Sequence, residues 1–254
     1  MYAAPLPPPR RSWVQVWTLP ILIVVLVACV GAAVYVAWPH ERPRRTSVPE
    51  PSDTAIVEPP PMEGPEGAAL GDARSFIDVY ALAEAETILF RIVRQNPRNA
   101  LAHAYLARAA YRRGQMKDGS CAPAAVAAAE REVALAEALQ PGLADATLVR
   151  AYLKFYAFDF APAKQLGLAA ERADPSSLRV ALFLAQLAAR AGRLDETEER
   201  ASALVLRVRE GFVLDRAYDL LDEVYTSRGD RSGLVGLDRA RARHPGHDLY
   251  GRAR

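Results

Sequence analysis

The stretch "AFDFAPAKQLGLAAERADP", residues 157–175, decides the fold. An aromatic-Asp-aromatic opening leads into a run of small residues, and Asp174-Pro175 ends it. Ala163 and Ala170 lie on one face of a helix, because side chains two turns apart point the same way. Small side chains along one face let a second helix approach closely. Pro175 stops the helix, since proline lacks the N–H for the next hydrogen bond and restricts the residue before it. The stretch predicts the turn and second helix of a helical hairpin.

Working outward, residues 71–254 carry only helical patterns, with no sustained period-two alternation of the kind strands need. Turn signals separate them: "QNPRN" (95–99), "RRGQ" (112–115), "QPG" (140–142), "DPSS" (174–177), "RAGR" (190–193), "SRGDRSG" (227–233) and "HPGH" (244–247). Pro141 and Pro175 are 34 residues apart, and Pro97 and Pro141 are 44 apart. The longer gap is one period plus an insertion, for which "MKDGSCAPAA" (116–125) is the candidate. A 34-residue helix–turn–helix period is the signature of tetratricopeptide (TPR) arrays.

The chain resembles the TPR family at particular residues. In the unit ending at Pro175, Ala151 takes the small position of the first helix. "FDF" (158–160) stands where the family has Gly-Asp-Tyr, and Ala163 and Ala170 take the small positions of the second helix. Leu184-Ala185 with "GRLDE" (192–196), and Leu106-Ala107 with Gly114, repeat the pattern. Leu221, Tyr225 and "GDR" (229–231) give a weaker match. Arg150 stands where Leu is expected, Gly167 takes an aromatic position, Thr197 replaces an Ala, and the helix over 121–139 is long. Residues 72–95 read as a lone second helix or one long capping helix. The resemblance implies an all-α fold of stacked hairpins, an α-solenoid, over 71–254.

Ahead of that domain the composition changes twice. Residues 1–12 form a short tail. Within 13–38, residues 19–38 contain no charge, enough at about 1.5 Å per residue to cross a hydrocarbon core of about 30 Å. Trp13 and Trp17 flank one end, Tyr35 and Trp38 the other, as interfacial aromatics do. The expectation is a single transmembrane helix. A cleaved signal peptide and a lipobox-like "LVAC" with a lipidated Cys29 stay open beside it. Arg10 and Arg11 before the apolar run favour an exported C-terminal domain over a cytoplasmic one, in the inner membrane if the source is bacterial. Residues 39–70 are rich in proline and acids, and read as an extended disordered linker.

Charge and chemistry narrow the function. Formal net charge is +2 over 254 residues. It is split between an Arg-bearing N-terminus, an acidic stretch at 46–70 with no base, and a mildly basic remainder. No concentrated basic face indicates nucleic acid. Cys29 and Cys121 form neither a disulfide framework nor a metal-ligand pattern. No phosphate loop or nucleophile elbow is present. His40, His103, His244 and His247 do not gather into a metal set, so no enzyme, metal or cofactor is expected.

The stack itself is the remaining candidate, since first helices of such repeats line a concave surface. The register places Arg108, Tyr111 and Arg112 there from one unit, Tyr152, Phe155 and Tyr156 from the next, and Phe183, Gln186 and Arg190 from the third. Aromatics with arginines are what binding hot spots favour. Tyr111, Phe155 and Phe183 can equally pack between hairpins. Two readings follow: a membrane-tethered protein–protein interaction scaffold or adaptor, and a structural or self-associating envelope subunit with no peptide groove.

Overall fold

The computed structural model describes residues 48–49, 64–208 and 211–243. The expected transmembrane segment at 13–38, nearly all of the linker before Gly64, and His244 and His247 lie outside them. Among the described residues no helix is long and apolar enough to cross a membrane.

The described residues form helices throughout, in the order α1 (Gly64–Asp78), α2 (Leu82–Gln95), α3 (Ala100–Arg113), α4 (Pro123–Leu139), α5 (Ala144–Tyr156), α6 (Phe160–Ala173), α7 (Leu178–Arg190), α8 (Leu194–Arg207), α9 (Phe212–Arg228) and α10 (Arg231–Arg243). They pair as five successive antiparallel hairpins. First helices begin at Ala144, Leu178 and Phe212, 34 residues apart, after a 44-residue step from Ala100. Each first helix packs on its own second helix and on the first helices of neighbouring hairpins. Each second helix also packs on the first helix that follows it.

The N-terminal end differs from the sequence reading. Residues 72–95 are neither a lone helix nor one long cap: they break at 79–81 and complete a hairpin with α1. That hairpin starts at Gly64, inside the segment assigned to the linker through residue 70. Pro65, Gly67 and Gly71 mask the helix from propensity, since glycine and proline are poor helix formers. Packing overrides them. Leu70, Ala73 and Ile77 recur at helical spacing and bury against Ala85, Leu89 and Ile92 of α2. Glu66 accepts hydrogen bonds from Asn96 and Asn99, fixing the start of α1 to the α2–α3 turn.

Four of the hairpin turns share one geometry. A residue with positive φ follows the first helix: Tyr80 (61°), Phe158 (60°), Gly192 (69°) and Gly229 (66°). Its N–H reaches back three residues and the next N–H reaches back five, as in Ala81 N to Phe76 O (2.9 Å) and Asp159 N to Lys154 O (2.9 Å). This is the Schellman closure, which satisfies carbonyls left over at a helix end. Glycine adopts it freely; an aromatic residue there is strained by roughly 1–2 kcal/mol.

The second hairpin breaks the pattern with the insertion. Gly114 keeps a right-handed φ of −85°. The loop folds on itself through Met116 N to Ser120 O (2.9 Å) and Ala122 N to Gly114 O (2.8 Å). Helix α4 starts at Pro123, at the N-terminal position where a missing N–H is harmless.

The departures from the family pattern have local explanations. Arg150 forms a two-point bond to Glu137 of α4, both contacts 2.7 Å. A Cβ on Gly167 would lie 2.8 Å from Phe183 Cε1, so Phe183 occupies the space of the missing aromatic ring. Thr197 is fully buried, its hydroxyl donating to the Arg193 carbonyl at 2.9 Å.

Candidate functional site: the inner face of the hairpin array

First helices supply the inner face, and its curvature is tight. Asp78, the last residue of α1, is 3% exposed and reaches two other hairpins. Its Oδ1 accepts from Arg108 Nη2 of α3 at 2.5 Å, and its Oδ2 accepts from Arg179 of α7. Arg112 of α3 donates weakly to the Asp78 carbonyl at 3.5 Å. Its guanidinium lies 4.0 Å from the Tyr80 ring centre and 5.8 Å from that of Phe212 in α9. Contacts from the first hairpin to the fourth, and from the second to the fifth, require first helices that curl toward one another.

Burial by itself pushes the Asp78 carboxyl up. The positive charges of Arg108 and Arg179 more than offset that and hold it below its ordinary value. Arg108, 5% exposed, is correspondingly held in its charged form by Asp78. One carboxylate faces two buried guanidiniums, and the Nε and Nη1 atoms of Arg108 have no hydrogen-bond partner among the described residues.

An aromatic chain lies beside this cluster. Tyr111 stacks on Tyr152 (centroids 5.4 Å apart), and Tyr152 meets Phe183 edge-on at 4.7 Å. Phe155 contacts Tyr156 at 5.3 Å and Phe183 at 6.0 Å, with the Arg190 guanidinium 5.9 Å from its ring centre. The Tyr152 hydroxyl donates to Gln186 Oε1 at 3.3 Å. Burial raises the Tyr111 hydroxyl well above the usual phenol range and also raises that of Tyr152.

All the candidate side chains therefore fall on one connected surface, but they are not equally available. Arg108, Tyr111, Phe155 and Phe183 are buried. Arg112, Tyr152, Tyr156 and Gln186 are half-buried, and Arg190 is exposed. Phe183 packs in one cluster with Ala163, Ala170 and Leu187, so its role is to fill the space between hairpins. His103, buried in α3, is held by Glu132 Oε2 of α4 (2.7 Å) and the Pro97 carbonyl of the α2–α3 turn (3.1 Å), a structural staple. Cys121 directs its thiol to the Tyr111 carbonyl at 3.4 Å, and burial raises its pKa, so it is no activated nucleophile.

The sequence reading missed Asp78, Tyr80 and Arg179. Asp78 and Tyr80 sit at a turn inside a segment read as a single helix. Arg179 lies between Leu178 and Val180 with no pattern that sets it apart.

A cleft of about 580 Å³ opens among the described residues where α3 and the first turn meet the insertion. Tyr80, Arg112, Gln115, Lys117, Gly119 and Tyr156 are among its lining residues. The Tyr80 hydroxyl donates to Gln115 Oε1, bracing the first turn against the insertion.

Hairpin pairing, the 34-residue step and the repeated turn make this a TPR-like helical-repeat protein. No family model matches the sequence, and no curated protein does. Among solved structures the chain is similar to a thermophilic TPR protein of Thermus thermophilus, at 18% identity. That match spans 63% of this chain and 81% of the other, with a TM-score of 0.49.

Proposed function

We propose that the chain is a protein–protein interaction scaffold, held at a membrane by a single pass within residues 13–38, that binds its partner on the inner face of the TPR-like array. The carrying observation is that Arg112, Tyr152, Tyr156, Gln186 and Arg190 keep accessible surface on one face, braced from behind by buried aromatics. Rigid aromatics and guanidiniums in such a setting suit a binding hot spot. The uncharged run at 19–38 supports the tether, with the helical domain on the exported side. Among the side chains put forward from the sequence, Arg108, Tyr111, Phe155 and Phe183 act as supports behind the surface.

Affinity capture with the full chain in detergent tests this beside an Arg112→Ala/Tyr156→Ala double variant checked for helicity. A protein retained by the parent and lost by the folded variant supports the scaffold. Equal retention by both removes the inner face as the binding surface. The tether is tested separately, by whether the full chain partitions with membranes after carbonate washing.

One observation favours a second reading. The centre of the inner face is filled by Asp78, Arg108 and Arg179, as expected of a structural or self-associating subunit with no peptide groove. Sedimentation of the full chain in detergent separates the two: a discrete oligomer that survives the double variant supports the subunit, a monomer the scaffold.

A further inference from the structure

The cleft beside the insertion has a one-sided charge. Arg112, Arg113 and Lys117 line it and no carboxylate does. Glu86 pairs with Arg113 at 2.5 Å, which leaves Arg112 and Lys117 as the unmatched cations of the lining, and the Asp118 carboxylate turns back to accept from the backbone and hydroxyl of Ser120 at 2.9 and 2.7 Å. Arg190 brings a further cation up to the lining residue Gly119, its Nη2 lying 3.3 Å from where a Cβ there would stand.

Arg112 is the fixed element. Its ring contacts and its bond to the Asp78 carbonyl hold the guanidinium in place, so little rotamer freedom remains to be lost on binding. Its Nε is buried without a hydrogen-bond partner among the described residues. Tyr80 is held with φ 61° yet remains 50% exposed at the mouth. The insertion supplies Met116, Lys117 and Gly119, so the regular hairpins do not reproduce this cleft.

We propose that this cleft binds an acidic peptide segment of a partner protein, its carboxylates meeting Arg112 and Lys117 and its backbone lying against Tyr80 and Tyr156. The inference rests on the scaffold reading and names the chemistry of its partner. Charge complementarity selects the class. A nucleic acid would need phosphate contacts spread along an extended basic face. Here the cations are confined to one cleft on a chain of net charge +2.

Fluorescence polarisation with the full chain in neutral detergent tests it, using labelled oligo-glutamate, with oligo-lysine and a single-stranded oligonucleotide as comparison probes. Oligo-glutamate should bind, and binding should weaken as salt screens the charges. Lys117→Glu should weaken it about tenfold, since reversing one charge across a partly screened contact is worth on the order of one decade in affinity. Lys117 is exposed, so that change leaves the fold alone. Arg239→Glu, an equal charge reversal on exposed α10, should change nothing. Oligo-glutamate bound no better than oligo-lysine, or indifferent to Lys117→Glu, overturns the proposal, as does tighter binding of the oligonucleotide. If the capture experiment retains a partner dependent on Arg112 while oligo-glutamate fails, the scaffold stands and the acidic class falls.

Discussion

The same residue types form two kinds of ion pair in this molecule. At the boundaries between hairpins, Arg113 meets Glu86, Arg150 meets Glu137, and Arg228 meets Asp195 and Glu198. These pairs join adjacent hairpins, and their partners are 13 to 33 residues apart. Arg113, Arg150 and Asp195 stay substantially in water, and Arg228 with Glu198 is partly wet. On the inner face, Asp78 holds Arg108 and, 101 residues away, Arg179, with every member nearly dry. Screened pairs contribute little, and side-chain ordering consumes much of that. Buried charges are different: each is costly to desolvate, and the arrangement survives only while the partners stay matched. The boundary pairs decorate a stack that local packing already makes. The inner cluster ties distant hairpins together, and so belongs to the curvature.

Breaking the inner cluster should have the largest effect. Asp78→Asn removes the carboxylate shared by two buried guanidiniums, and urea unfolding should report a loss of about 3–5 kcal/mol. Acid tests the same contact without mutation. Because the Asp78 carboxyl is held below its ordinary 3.8, its contribution is complete above that value and fades as pH falls through the lower folded value. Stability measured by urea titration should drop more steeply below about pH 3.8 in the parent than in Asp78→Asn.

Next in size is Gly167→Ala, where the second helix of the third hairpin touches the inner aromatic chain. The added methyl would sit 2.8 Å from Phe183 and Leu184 atoms, and overpacking of this kind costs about 1–3 kcal/mol. An unchanged unfolding midpoint would mean that Phe183 has room to retreat.

The turns give a change of opposite sign. Phe158 is 56% exposed with φ 60°, whereas Gly192 and Gly229 make the same closure unstrained. Phe158→Gly should stabilise the protein by about 1 kcal/mol, because the left-handed strain outweighs the modest edge contact with Phe160. Tyr80→Gly should gain less, since it also removes the cation–π contact with Arg112. Smallest of all is Arg228→Ala at the boundary, expected to shift stability by under about 1 kcal/mol and to do so less in high salt. A large loss there would erase the distinction between the two kinds of pair.

Hairpins three to five were legible in the sequence because their information is local. Ala163 and Ala170 mark a crossing face, Pro141 and Pro175 end helices, and Gly192 and Gly229 permit the left-handed closure, each acting within a few residues of itself. The 34-residue step follows from repeating such units. Helix α1 was hidden because its glycines and Pro65 argue against a helix that only burial of Leu70, Ala73 and Ile77 makes worthwhile. The surface was legible in part. Periodicity put Arg108, Tyr111, Phe155 and Phe183 on the inner face, but which side chains remain accessible depends on how far neighbouring hairpins rotate toward each other. That rotation arises from contacts between residues distant in the chain, such as Asp78 with Arg179 and Arg112 with Phe212, and no spacing rule encodes them. By itself the sequence determined a helical repeat and its period, because helix ends and small-residue crossings are local chemistry. Tertiary structure alone decided the curvature, the buried Asp78 cluster and the basic cleft, because those depend on where separate hairpins meet in space.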